Sequence, residues 1–165
     1  MSNYNPIYHS IWDSKRFINL DNTTKLIFLY LLSNQRVTQT GIYKIRFEQV
    51  ACDIGLKVED VENAFDELEG NALIHYWYDE HILFIVNNFR FARNTIKNAT
   101  ILHKVIESQR QLFNLPELWG NFDTLYSAEL EVINKVLIKH QSNNTNDING
   151  NANIYRTHNN RKEDN

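Results

Sequence analysis

Cysteine, proline and glycine are all scarce in this sequence, whose 165 residues include one cysteine, two prolines and five glycines. A single cysteine excludes a disulfide framework. Cys52 lies in an apolar helical pattern, which predicts a small side chain in the core. The glycines form neither a GxxxxGKS/T phosphate-binding loop nor a GxGxxG dinucleotide-binding motif. Both of these common nucleotide-binding motifs are therefore excluded.

Long hydrophobic runs are missing as well. The longest uninterrupted apolar run, residues 26–32, is far too short to cross a bilayer. The first residues do not resemble a secretory signal peptide. A hydrophobic content of 42% is enough to bury a core. We therefore expect an intracellular protein that makes no membrane contact.

Side chains suited to catalysis or metal binding do not cluster. The six histidines are scattered without the spacing of metal ligands, and the lone cysteine cannot complete a zinc site. Many carboxylates fall on one predicted helix, which accounts for them without a paired acid and base. The sequence therefore predicts no catalytic residue, no metal, no cofactor and no enzymatic activity.

The clearest pattern of secondary structure lies in residues 41–89 and the helix before them. A helix over TTKLIFLYLLSNQ, which Asp21 or Asn22 can cap, precedes the short strand GIYKI. Two helices follow, FEQVACDIG and VEDVENAFDELEG, with apolar residues at helical spacing and with Gly55 and Gly70 at their ends. The hairpin ALIHYWYDEHILFIVNNF closes the pattern. This order of elements is typical of a winged helix.

Helical patterns continue after the hairpin. We expect one helix over RFARNTIKNATILHKVIESQRQLF. Further helical segments are predicted over LPELWG and SAELEVINKVLIKH. The last residues are polar and rich in asparagine, with too few apolar side chains to offset the entropy of ordering. The predicted fold class is α+β, mainly helical, a winged helix-turn-helix with added C-terminal helices. Its predicted parts are a winged-helix domain at 1–112, a helical extension at 113–141 and a disordered polar tail at 142–165.

The segments KLIFLYLLSN, GIYKI, FEQVACDIGLKVEDVENAFDELEGNALIHY and ILFIVNNF together resemble a known family. It is the N-terminal domain of phage and prophage replication initiation proteins, the replisome organisers, which are related to DnaD-like primosome proteins. The resemblance covers roughly residues 8–110. It implies a winged helix that helps to start phage DNA replication in the cytoplasm of a bacterial host, by binding an origin or by docking a helicase or helicase loader. Many such proteins carry a further C-terminal helical domain, and this chain departs from them by ending in a polar segment.

Charge is unevenly distributed over the predicted winged helix. Residues 1–52 carry six basic and three acidic side chains, a net charge of +3, whereas residues 53–81 carry one basic and nine acidic side chains, a net charge of −8. The acidic residues of the third helix are expected on its outward face: Glu59, Asp60, Glu62, Asp66, Glu67 and Glu69. Phosphates line both edges of the major groove and would repel this face. It is either an ordinary solvated surface or, as we hypothesise, a docking site for a basic partner, centred on Glu59, Asp60, Glu62 and Asp66.

Positive charge collects after the hairpin. Residues 82–115 carry five basic side chains and one acidic side chain, a net charge of +4. If residues 90–113 form one helix, four of the basic residues lie along one stripe, interleaved with asparagines that can bond to DNA. An ordinary solvated helix face is the alternative. The predicted DNA-binding residues are this stripe and four more basic residues: Arg90, Arg93, Lys97, Lys104, Lys44, Arg46, Lys15 and Arg16.

Aromatic residues are dense in the hairpin. Trp77 and Tyr78 are candidates for a partner-binding surface or for stacking on single-stranded DNA, and packing on the core is the alternative. Apolar stripes in the C-terminal helices and the strongly apolar first helix also predict a homo-oligomer.

Three function classes stay open. The first is a replication initiation protein that binds double-stranded DNA, with single-stranded DNA as a further candidate. The second is a protein-interaction module for oligomerisation or helicase loading with weak DNA affinity. The third is a winged-helix transcriptional regulator, which the acidic third helix disfavours, because operator recognition usually places that helix in the major groove.

Overall fold

A computed structural model describes residues 6–95 and 98–139 of the chain, with side chains described everywhere in these ranges except at residues 92–95. The chain forms two units, residues 1–95 and residues 96–165. The polar tail predicted at 142–165 lies outside the described residues.

The first unit is α+β and mainly helical, as predicted. It begins with a 3-10 turn, His9–Asp13, and a short helix α1, Lys15–Ile18. The longer elements follow in this order: α2 (Asn22–Ser33), β1 (Ile42–Lys44), α3 (Phe47–Ile54), α4 (Val58–Gly70), β2 (Ile74–Trp77), β3 (Ile82–Ile85) and α5 (Asn88–Thr95).

The three strands form one antiparallel sheet in the order β1-β3-β2. The central strand β3 is buried along its whole length. Lys44, Ile82 and Trp77 lie in one row across the sheet and share one face, because residues paired across strands point to the same side. Tyr43 and Tyr76 lie on the opposite face and belong to the core that the sheet forms with the helices.

Asp21 caps α2, as predicted. Its carboxylate accepts hydrogen bonds from the backbone N–H groups of Thr23 and Thr24, at 2.7 and 3.0 Å, and from the Thr24 hydroxyl at 2.6 Å. The bond from the Thr24 hydroxyl is the largest cause that lowers the pKa of Asp21 to about 2. The cap therefore holds the first turn of α2 as long as the carboxylate is ionised.

The helix pair α3 and α4 has the predicted bounds, and Gly55 ends α3 in the left-handed conformation with a φ of 71°. The prediction that Cys52 is a core residue is wrong, since its side chain is exposed. Val50 and Ala51 fill the buried face of α3. Cys52 is one position further along, and a step of about 100° around the helix turns it towards solvent.

Helix α4 runs to Gly70, as predicted, but Gly70 does not take the left-handed conformation. Gly70 still belongs to the helix, Asn71 follows as its C-cap, and the left-handed residue is Ala72, with a φ of 52°. The amide side chain of Asn71 donates to the carbonyl oxygen of Glu67 at 2.8 Å. This bond satisfies one of the carbonyl groups that the end of a helix leaves unpaired.

The described part of the second unit, residues 98–139, contains three helices: α6 (Ala99–Leu112), α7 (Pro116–Leu125) and α8 (residues 127–139). The Trp119 indole donates to the carbonyl oxygen of Phe113 at 2.7 Å, and the Arg110 guanidinium lies 4.6 Å from the centre of the Trp119 ring. Arg110 also pairs with Asp123. These contacts join the end of α6 to α7.

The prediction of one continuous helix over residues 90–113 is wrong. Asn98 has an extended backbone, and its side chain accepts hydrogen bonds from the N–H groups of Thr100 and Ile101, at 3.0 and 3.3 Å. Asparagine is a strong N-cap because its short polar side chain replaces the missing helical acceptor. A new helix, α6, therefore begins at Ala99 and is separate from α5.

Candidate nucleic-acid interface

An aromatic cluster fixes the β2-β3 hairpin to the helix pair. The Phe47 ring at the start of α3 lies 4.9 Å from Phe65 of α4 and 5.0 Å from Tyr76 of β2, measured between ring centres. The Tyr76 hydroxyl donates to the carbonyl oxygen of Ile45 at 2.8 Å. Burial is the main cause that raises the pKa of Tyr76 to about 12. The hairpin is thus held against α3 and α4 by packing and by a buried hydrogen bond.

Tyr78 extends this attachment towards the hairpin tip. Its hydroxyl donates to the carboxylates of Asp66 and Glu69, at 3.1 and 3.3 Å. Partial burial, followed by the bond to Asp66, raises the pKa of Tyr78 above its usual range. Two of the predicted partner-binding residues, Asp66 and Tyr78, therefore bind each other.

The acidic surface of α4 is smaller than predicted. Glu59 and Glu62 are exposed and Asp60 is half-buried. Glu67 and Glu69 do not lie on an outward face as expected. They are half-buried, and they accept hydrogen bonds from the backbone N–H groups of Asp21 and Tyr76, at 3.4 and 2.8 Å. These two carboxylates join α4 to the N-cap of α2 and to the hairpin, which helical spacing alone does not reveal.

Lys44 and Arg46 lie together beside the hairpin tip. Both are exposed, and the backbone N–H of Ile45 between them donates to the carbonyl oxygen of His81 at 2.9 Å. Arg46 is also the N-cap of α3. The sequence prediction placed both cations beside the first turn of the helix pair, and the structure puts them there.

Lys15 and Arg16 lie at the other end of the hairpin. They are exposed on α1, and the Arg16 guanidinium donates to the carbonyl oxygen of Ala72 at 3.4 Å, just before β2 begins. The strand from Ile74 to Trp77 separates the two ends by about 10 Å. Lys15 and Arg16 thus form one pair and Lys44 and Arg46 another, and the four cations do not form one patch.

The basic stripe predicted after the hairpin requires one continuous helix over residues 90–113, but the structure has two helices there, α5 and α6. Arg90 is exposed in the first turn of α5, where its guanidinium donates to the side chain of Asn87 at 3.0 Å. Arg93 lies in α5, with its side chain outside the described part. Lys97 lies outside the described residues, and Lys104 is exposed on α6 in the second unit. Because α5 and α6 are separate helices, helical periodicity no longer places Lys104 in line with Arg90.

The asparagines that were expected to interleave with this stripe have structural roles. Asn87 takes a left-handed backbone with a φ of 69°. The Asn88 side chain donates to the carbonyl oxygen of Thr38 at 3.0 Å and so ties the start of α5 to the loop before β1. Asn98 caps α6. These three side chains are engaged within the chain, whereas the side chain of Asn94 lies outside the described part.

Trp77 lies at the end of β2 and is half-buried, with its ring centre 6.3 Å from the ring of His75. His75 is exposed. Lys44 shares the sheet face and the row of Trp77. Two rings and one cation are therefore accessible on this side of the sheet.

Sequence reasoning missed two further charged positions. Lys57 is exposed at the N-cap of α4. The sequence signal for it is that it is the single Lys or Arg between Asp53 and His81. Arg36 lies 3.9 Å from Asp53, which also accepts hydrogen bonds from Tyr30 and Gln49. The bond from Tyr30 leads the causes that lower the pKa of Asp53. This cluster joins α2 to α3, and no local sequence pattern predicts it.

Residues 6–95 and 98–139 contain no group of three His, Cys, Asp or Glu side chains that could hold a metal ion. Within the same ranges, none of the helices has the length and hydrophobicity that a bilayer crossing requires.

Comparisons of the chain with protein-family models, with curated proteins and with solved structures gave no match.

Proposed function

We propose that this protein is a winged-helix protein that binds DNA and acts in the initiation of phage or prophage DNA replication, at an origin or in primosome assembly. The observation that carries the proposal is the topology of the first unit. Helix α2, strand β1 and helices α3 and α4 follow one another and precede a hairpin whose second strand, β3, lies between β1 and β2. The turn between α3 and α4 spans residues 55–57 and contains Gly55, as is typical of a helix-turn-helix.

The charges of this unit support a particular way of binding. The exposed carboxylates of Glu59 and Glu62 disfavour insertion of α4 into the major groove, where both strands present phosphates. Lys44 and Arg46 are exposed beside the hairpin tip, and Arg90 is exposed at the start of α5, which follows the opposite end of β3. We therefore assign the phosphate contacts to Lys44 and Arg46, with Arg90, Arg93 and Lys97 as further candidates. Double-stranded DNA is the proposed ligand.

Fluorescence anisotropy with labelled duplex DNA at two salt concentrations tests this assignment. Lys44→Glu with Arg46→Glu should weaken binding and should reduce the slope of log affinity against log salt by about 2, since each phosphate contact contributes about 1. Lys15→Glu with Arg16→Glu is a matched control, because it makes the same charge change at the other end of the hairpin. Equal effects of the two double variants would contradict the assignment to the tip.

A second candidate function is a protein-interaction module of the primosome with weak DNA affinity. The observation that favours it is the exposed acidic pair Glu59 and Glu62, which lies on the helix that such modules commonly place in DNA. A basic partner such as a helicase or helicase loader suits this surface. Glu59→Gln with Glu62→Gln should then reduce the amount of helicase or loader recovered in a pull-down and leave duplex binding unchanged. A loss of sequence-specific DNA binding in this variant would show instead that α4 contacts the bases.

A further inference from the structure

Helix α6 of the second unit has two apolar faces side by side. The buried face includes Leu102 and Ile106. The neighbouring face is shifted by one residue and is called here the α6 seam: Ile101, Val105, Ser108 and Leu112. These four positions are spaced by four, three and four residues. That is the heptad spacing at which one helix presents a continuous row of side chains to another helix.

Three of the four residues of the α6 seam are exposed, and Val105 is half-buried. Leu112 exposes 71% of its surface and Ile101 exposes 49%. A shallow groove of about 320 Å³ lies along the first part of the seam and is lined by Ile101, Lys104, Val105, Ser108 and Gln109. Exposed apolar side chains scattered singly need no explanation, but a row of them beside a groove marks an interaction surface.

We propose that the α6 seam packs antiparallel against the α6 seam of a second copy of this chain, around a two-fold axis. This alignment places Leu112 opposite Ile101 of the second copy and places Val105 opposite Ser108. A large side chain then faces a large one at each end, and the branched Val105 fills the space that the small Ser108 leaves. A parallel alignment would set Ser108 against Ser108 and leave that space empty, which close-packed interfaces avoid.

The charges beside the seam also suit a second copy. In the antiparallel pair, Lys104 on the rim faces the neutral Gln111 of the second copy, so no like charges meet. Glu107 and Arg110 lie 3.7 Å apart, and Arg110 also pairs with Asp123, so these charges are balanced within one chain. A rim with so little net positive charge is poorly suited to the phosphate backbone of a nucleic acid.

The size of the seam sets the strength of the expected association. Ile101 to Leu112 spans about 16 Å of helix, and such a contact is smaller than the roughly 800 Å² per partner of a standard stable interface. We therefore expect a dimer that forms and dissociates with concentration. The pairing of α6 seams is independent of the proposed DNA binding.

Sedimentation of the full chain over a range of concentrations tests the pairing. At the concentration where the unmodified protein is half dimeric, Ile101→Lys and Leu112→Lys should each sediment as monomers, because the pairing would bury an unpaired charge. Leu26→Lys on α2 is the matched control, since Leu26 exposes 48% of its surface against 49% for Ile101. All three positions are exposed, and circular dichroism checks that the variants fold. An unmodified chain that stays monomeric up to millimolar concentration, or a dimer that Ile101→Lys weakens no more than Leu26→Lys, would overturn the proposal.

Cysteine cross-linking tests the orientation. In a Cys52→Ser background, Ile101→Cys with Leu112→Cys should give covalent dimers on mild oxidation, whereas Ile101→Cys alone should not, because position 101 faces position 112. Efficient cross-linking by Ile101→Cys alone would show a parallel pair and overturn the antiparallel arrangement. Slow alkylation of the thiol that Ile101→Cys introduces, in dilute monomer, would show that another part of the same chain covers the seam, which also overturns the proposal.

Discussion

Gly41 lies where β1 meets the start of α5, and an alanine there tests how closely these segments approach. Its backbone has a φ of 77°, and a Cβ atom would lie 2.7 Å from the Cβ of Asn88 and 3.0 Å from the carbonyl oxygen of Ile85. Asn88 cannot easily move away, because its side chain donates to the carbonyl oxygen of Thr38 at 3.0 Å. The Ile85 oxygen belongs to the central strand and is also fixed.

Gly55 supplies a matched control, since its φ is 71° and no atom lies within 4 Å of the position that a Cβ would take. An alanine at either site costs about 1–2 kcal/mol for the left-handed backbone, offset by about 0.4–1 kcal/mol from the lower entropy of the unfolded chain. Gly55→Ala is therefore expected to lower the free energy of unfolding by about 1 kcal/mol. Gly41→Ala adds overpacking of about 1–3 kcal/mol, for a total of about 2–4 kcal/mol.

Urea unfolding of the full chain measures the difference. Trp12 and Trp77 report on the first unit by fluorescence, and Trp119→Phe removes the signal of the second unit. The midpoint should fall further for Gly41→Ala than for Gly55→Ala, with an unchanged slope. Equal midpoints for the two variants would refute the close approach at Gly41, because both share the same backbone strain.

Three further predictions concern single groups. The pKa of Asp21 lies at about 2, below its ordinary 3.8, so the cap stabilises above about pH 4 and is lost as the pH falls towards 2. Asp21→Ala should lower the unfolding free energy by about 1 kcal/mol at about pH 6 and by much less at about pH 2, as measured with urea. Tyr43→Phe removes the buried hydrogen bond of 2.7 Å from the Tyr43 hydroxyl to the carbonyl oxygen of Leu31, and should cost about 1–2 kcal/mol in the same assay. Ala72→Gly relieves a φ of 52° and should stabilise the protein by about 0.5–1 kcal/mol, seen as a higher Tm.

Each of these predictions has its own control. Asp21→Asn keeps a capping side chain that does not titrate, and an equal loss for Asp21→Ala at both pH values would contradict the lowered pKa. Tyr30→Phe removes a hydroxyl that donates to the exposed Asp53, so it should cost less than Tyr43→Phe; equal losses would contradict the importance of burial. A lower Tm for Ala72→Gly would show that the left-handed turn is not strained.

The elements from α2 to β3 could be predicted because their signals are local. The apolar spacing of Phe47, Val50, Ala51 and Ile54 defines α3, and Gly55 supplies its left-handed end. The break at Asn98 was also a local signal, since an N-cap residue preceded a helical pattern. It was missed because the basic residues on either side suggested one continuous face.

The orientation of single side chains was harder to predict. Cys52 occupies an apolar stretch and still points to solvent, because one step around α3 separates it from Ala51. Ala72 takes a left-handed backbone that glycine usually occupies, so the neighbouring Gly70 was the misleading signal.

The sequence by itself determined the kind and order of the elements from α2 to β3, because helical period, strand period, the Asp21 cap and the Gly55 turn act within a few residues of one another. Only the tertiary structure decided which charges stay free for a partner. Glu69 binds the hairpin through Tyr76 and Tyr78, whereas Glu59 and Glu62 on the same helix remain exposed. The physical reason is that a carboxylate is engaged by whatever donor the fold brings within hydrogen-bond distance, and that donor belongs to another element of the chain.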